Sequence, residues 1–136
     1  MVAACSKPPQ HAQWLAASAN GDVAAAVARQ RAESARSGRS ALVYVGASWC
    51  EPCTRFHDAA ARGALDAVFG DVDVLAFDAD RDRARLDAAG YTSQLIPLLA
   101  VPNVDGTASA QRMEGSIKGE GAVAEMTPRL RALLGR

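Results

Sequence analysis

The sequence is short of several things, and each shortage excludes something. It has no surplus of charge: 15 lysines and arginines balance 15 aspartates and glutamates among 136 residues. With no basic run either, nothing in it asks for nucleic acid. Aromatic residues are only 5% of the chain. No apolar run approaches the roughly 18 residues of a membrane span, and no apolar leader segment follows Met1. There is no internal repeat and no low-complexity tract. Cysteines number three, too few for a disulfide framework, and a chain of this length does not need one to bury a core. The length points to one domain, and the apolar and charged fractions, 49% and 22%, are those of a globular protein.

What is present begins with "GASWCEPCTRFH", Gly46 to His57, which places Cys50 and Cys53 two residues apart. Three chemistries suit such a pair. A zinc site wants four ligands, and no second CxxC or HxxxH supplies the other two; His57, His11 and Cys5 are the only recruits. A purely structural disulfide would close a loop of a few residues, where chain-entropy stabilisation is small. A redox pair fits better. "ALVYVGA", Ala41 to Ala47, reads as a strand buried on both faces, and a helix is expected just after Cys50, with Pro52 in its first turn, where the missing N–H costs nothing. Free N–H groups of a first turn favour negative charge and pull a cysteine pKa below its usual value of about 8.5. Cys50, nearer the solvent-facing loop, is expected to attack as the thiolate, and Cys53, one turn inside, to resolve the mixed disulfide.

The rest of the chain reads as follows. Trp14 to Ala19 is a short apolar-rich segment. Asp22 caps a helix over Val23 to Ser37, which Gly38 ends. The helix from Cys50 runs to about Phe69, with Phe56, Ala60, Leu65 and Val68 turned inward. "VDVLAF", Val72 to Phe77, is a strand; a short helix capped by Asp80 or Asp82 follows and ends at Gly90. "LLAV", Leu98 to Val101, turns at "NVDG" into an antiparallel strand, "SAQRMEG". A last helix spans about Gly121 to Leu134; Pro128 is expected at a helix start or kink, with Thr127 capping a final short piece. The order from Ala41 is β-α-β-α-β-β-α, a mixed sheet between helices.

The chain resembles the thioredoxin-fold oxidoreductases. The resemblance is carried by "WCEPC", Trp49 to Cys53, after a buried strand, and by "LIP", Leu95 to Pro97, ahead of "LLAV" and "NVDG"; it covers about Ser40 to Arg136. It implies an α/β thioredoxin fold with a central mixed β-sheet flanked by helices, here with an extra N-terminal helix. It also implies a cis bond at Ile96–Pro97 facing the cysteines, a free Ile96 backbone that pairs with an extended client, and dithiol–disulfide exchange on protein substrates with no cofactor and no metal. Cys50 and Cys53 would be catalytic; Trp49, Pro52, Ile96 and Pro97 would meet substrate. The sequence departs from thioredoxin at Tyr44, where that family carries a buried aspartate, at Glu51 in place of glycine, and at Leu98 in place of threonine. Glu51 is expected to tune the pair by raising the Cys50 pKa, towards the reductants. "CEPC" also occurs in extracytoplasmic reductases of cytochrome c maturation, but the spacing from Cys53 to Pro97 has no room for their usual inserted strand and helix. The rival class is a thioredoxin-like module that binds clients without turnover.

Three residues carry two readings each. "VAAC", Val2 to Cys5, followed by "SKPPQ", looks like the end of a bacterial lipobox and a tether. On that reading residues 1–12 are a flexible tail or tether, residues 13–136 are the domain, and Cys5 is lipid-modified. The protein would then be held at the periplasmic or other extracytoplasmic membrane face as a monomer, meeting protein clients and a redox partner. On the other reading Cys5 is a bystander and the protein is cytoplasmic. His57 either tunes the thiols or packs at the rim of the core. Trp49 either touches substrates or covers the motif. "DADRD", Asp78 to Asp82, lacks the glycine and glutamate of a calcium loop and reads as a strand end with helix caps.

Overall fold

The computed structural model describes residues 10–136, so Cys5 and the lipobox reading lie outside the described residues. Among the described residues five strands and five helices follow one another: β1 Gln13–Ala16, α1 Val23–Arg36, β2 Ser40–Gly46, α2 Glu51–Ala61, α3 Asp66–Phe69, β3 Val72–Asp78, α4 Arg83–Ala88, β4 Leu98–Pro102, β5 Ala108–Glu114 and α5 Ala122–Leu133. The strands form one sheet in the order β1-β3-β2-β4-β5. β1 and β2 run parallel to β3, while β4 runs antiparallel to β2 and β5 antiparallel to β4. β2 is thus the central strand, as its unbroken apolar run requires.

Alternation along the inner strands divides the core in two. Leu42, Tyr44, Val72, Val74 and Leu99 turn to the layer that holds Phe56, Phe69, Met126 and Leu130 of α2, α3 and α5. Val43, Val45, Leu75, Phe77, Leu98 and Ala100 turn to the opposite layer, against Val23 and Val27 of α1 and Leu86 of α4. Side chains this deeply buried contribute about 1.5–3 kcal/mol each. The caps are those the residue types dictate: Asp22 accepts the Ala25 N–H at 2.9 Å at the start of α1, and Gly38, just past its end, takes φ +69°.

Four local readings are corrected. Gln13–Ala16, read only as an apolar-rich segment, is an edge strand, paired residue for residue with Asp73–Ala76. The single helix expected from Cys50 to Phe69 is two, because Gly63 takes φ +82° after Arg62 and turns the chain out of helical geometry. Asp82 does hold the N-cap position of α4, but it makes no capping bond through its side chain; buried, it instead accepts the Asp78 N–H at 2.9 Å. Pro128 starts no helix: α5 runs through it unbroken, and Thr127 donates its hydroxyl back to the Val123 carbonyl at 2.8 Å. Position 128 lies past the first turn, so the proline removes one helical N–H donor.

Candidate functional site

The end of β2 delivers the chain to the start of α2, and that junction builds the site. Cys50 is the N-cap of α2, in extended backbone, and its sulfur accepts the Cys53 N–H at 3.3 Å. Glu51 and Pro52 occupy the first turn, where the absence of a proline N–H costs nothing. Cys50 and Cys53 are joined in a disulfide, with Cα atoms 5.2 Å apart. Cys53 is the deeper of the two, 1% exposed against 5% for Cys50. A Cys50 thiolate released at this cap would find the Cys53 N–H and the helix start already pointed at it.

Across from the disulfide lies the segment before β4. The Ile96–Pro97 peptide bond is cis, and the Ile96 carbonyl oxygen is 3.8 Å from the Cys50 sulfur. This segment is tied to β5: the Glu114 carboxylate accepts the N–H groups of Gln94 at 2.8 Å and Leu95 at 3.3 Å. Pro97 itself is buried and Ile96 half-buried. Around the pair, large apolar side chains stand out in solvent. Trp49 is 69% exposed and Leu95 62%, and the Trp49 indole N–H donates to Asp80 at 2.7 Å. The Trp49 indole is thus tethered at its N–H and open to solvent on its face.

Glu51, expected to tune the pair, has partners of its own. Its carboxylate accepts the Gly119 N–H at 2.6 Å and the Arg55 Nε–H at 3.2 Å. The Gly119 bond, then the pairing with Arg55 and the nearby charge of Lys118, hold its pKa below the usual carboxylate range. Its charge is therefore partnered on the side of the β5–α5 loop, and the repulsion it offers a Cys50 thiolate is reduced. His57 rests on Trp14, ring centroids 4.4 Å apart, exposed at the rim of the aromatic group that Trp14 forms with Tyr44 and Phe56. Tyr44 lies folded over Gly46, so closely that a Cβ on Gly46 would overlap its hydroxyl. Burial, reinforced by the charge of Asp78, pushes its phenol pKa well up, so Tyr44 stays neutral.

Behind α2 an open cleft of about 270 Å³ reaches the buried cysteine. Cys53, Tyr44, His57, Asp78 and Arg81 share its wall. Sequence reading did not single out Asp78 beyond its place in the acidic run; the register of β2 on β3, which sets Asp78 against Gly46, is what brings it here. "DADRD" closes on itself: Asp78 accepts the N–H groups of Asp80 at 2.9 Å and Arg81 at 2.8 Å, while Asp82 is held by Arg81 and Arg85.

Strand order, the helix-capping cysteine pair and the cis-proline segment facing it define a thioredoxin fold. No protein-family model matches the sequence, and no curated protein sequence matches it. Among solved structures the chain is similar to a point-mutant thioredoxin from Halobacterium salinarum NRC-1, at 15% identity and a TM-score of 0.48, over 94% of this chain and 95% of that one. The protein is a thioredoxin-fold protein whose Cys50 and Cys53 are joined in a disulfide at the start of α2.

Proposed function

We propose that the protein is a thiol–disulfide oxidoreductase that reduces disulfides in protein clients by dithiol–disulfide exchange, with Cys50 attacking and Cys53 resolving. The observation that carries this reading is the placing of Cys50: its sulfur caps α2, accepts the Cys53 N–H and lies 3.8 Å from the Ile96 carbonyl. An extended client running past the Ile96 backbone would bring its own sulfur to Cys50, with the exposed faces of Trp49 and Leu95 beside it. The chemistry needs no cofactor. It needs a dithiol donor as redox partner, and the protein acts as a monomer. The rival, a module that holds clients without turnover, is favoured by Tyr44 at the position of thioredoxin's buried acid.

Insulin reduction by dithiothreitol decides between them. The wild type accelerates turbidity over a Cys50→Ser/Cys53→Ser variant; equal rates would leave only binding. Cys53→Ser traps mixed disulfides with clients and Cys50→Ser does not; the reverse pattern would exchange the two roles. We place the pair on the reducing side, by its resemblance to reductases of the fold rather than by Glu51, whose charge is already partnered. A potential near about −120 mV, that of a strong oxidant, would refute this. We further propose that Cys5 is acylated and holds the domain at an extracytoplasmic membrane face. Recovery of unmodified Cys5 from a soluble cytoplasmic fraction would end that reading. No helix among the described residues is long and apolar enough to cross a membrane.

A further inference from the structure

The exchange proposed above contains a proton problem that the site must solve. When Cys50 is bound to a client sulfur, Cys53 must lose its proton before it can attack. Cys53 is 1% exposed, so bulk water does not reach it directly. The cleft behind α2 does. At about 270 Å³ it has space for several waters, each occupying about 30 Å³ in the liquid. We propose that Asp78, at the exit of β3, receives the Cys53 proton through this cleft. The inference rests on the dithiol–disulfide reading and deepens it.

The groups on the cleft wall divide clearly. Tyr44, from β2, stays protonated; its hydroxyl lies over Gly46, the residue that pairs with Asp78 in the sheet, and it can pass a proton but not keep one. Arg81 is a cation whose guanidinium is committed to Asp82. Asp82, buried, is saturated by Arg81, Arg85 and the Asp78 N–H. His57, from α2, is exposed and stacked on Trp14 of β1, whose other cleft residues, Ala16 and Ala17 beyond it, do not titrate. Asp80, on the loop, gives Asp78 its N–H and turns its carboxylate to Trp49. Asp78 alone is an anion with an oxygen to offer. Its Oδ1 takes the two loop N–H groups, and its Oδ2 has no protein donor among the described residues.

The step balances as follows. The Cys53 S–H proton passes by water, or by the Tyr44 hydroxyl, to the Asp78 carboxylate. The Cys53 thiolate attacks the Cys50 sulfur; the Cys50–Cys53 bond forms and the bond from Cys50 to the client sulfur breaks. The client leaves as a thiolate and is protonated by Asp78 or solvent. Over the cycle the protein dithiol is oxidised by two electrons and the client disulfide is reduced to two thiols.

The test uses the reduced full-length protein and oxidised glutathione as probe, with acid quenching and mass spectrometry to follow the mixed disulfide at Cys50. Asp78→Asn keeps an acceptor for the Asp80 and Arg81 N–H groups. It is expected to form the mixed disulfide at the wild-type rate but to resolve it at least about 100-fold more slowly at pH 7, the lower end for a lost general base. Its resolution rate should climb about tenfold per pH unit, as hydroxide takes over, where the wild-type rate is nearly flat from pH 6 to 8. An unchanged formation rate shows that the site is folded. Tyr44→Phe, which leaves the ring in place, is the second variant; with the Asp78 carboxylate still present it should show a smaller slowing and keep the nearly flat profile. His57→Gln should resolve as the wild type does. Wild-type decay in Asp78→Asn, whatever Tyr44→Phe does, or loss on His57→Gln instead, would overturn the proposal. Failure of the wild type in the insulin assay strikes the dithiol–disulfide reading, whereas the role of Asp78 is read separately, from the resolution step of the glutathione mixed disulfide.

Discussion

Asp82→Asn should separate the contribution of one buried charge from that of the fold. The Asp82 carboxylate is fully buried, yet its partners reach solvent: the Arg81 side chain is 46% exposed and that of Arg85 19%. Four donors converge on it, from Arg81 at 2.8 and 2.9 Å, from Arg85 at 2.7 Å and from the Asp78 N–H at 2.9 Å. Burial alone would raise its pKa; the two guanidiniums and the backbone N–H overcome that and hold it at about 2. Measured from an ordinary value of 3.8, that depression corresponds to about 2 kcal/mol of stability. Because the folded pKa is the lower one, this stability is fully present above about pH 4 and is lost as pH falls through about 2. The variant keeps one acceptor and loses the charge, so urea denaturation at pH 7 should find it about 2 kcal/mol less stable than the wild type. At pH 3 the gap should narrow by about 1 kcal/mol, because only the wild type has a charge to lose. A gap below about 0.5 kcal/mol at pH 7, or one that does not shrink by pH 3, would refute the reasoning.

Two further outcomes follow from the same geometry. Glu51→Gln should move the Cys50 thiolate pKa by less than about half a unit, since the carboxylate it removes is already bound to Gly119 and Arg55; iodoacetamide alkylation against pH reads this, and a drop of a full unit would restore Glu51 as the tuning group. Gly106→Ala should cost more than about 2 kcal/mol in chemical denaturation, because Gly106 has φ +86° and an added Cβ would run into the Ala24 carbonyl and the Ala28 nitrogen of α1; a wild-type midpoint would show that α1 gives way there at little cost.

What the sequence determined by itself was the chemistry that depends on near neighbours. The apolar run Ala41–Ala47 dictated a central strand, Asp22 and Gly38 bounded α1, and Asn103–Gly106 turned β4 into β5. Cys50 followed by Glu51-Pro52 dictated a helix start with a sulfur at its cap. Each is a matter of a few consecutive residues, where propensity, capping and period act. Tertiary structure decided whatever depends on partners distant in the chain. β1 is four residues long, and only its ladder to β3 makes it a strand. Pro128 stays inside α5, whose Met126 and Leu130 are buried against the sheet. Glu51 binds the N–H of Gly119, 68 positions away, a partner its sequence neighbours did not suggest. Asp78 looked like one acid in an acidic run. The pairing of Gly46 with Asp78 put it on the wall of the cleft that Tyr44 and Cys53 also line, because strand register fixes positions that no local pattern encodes.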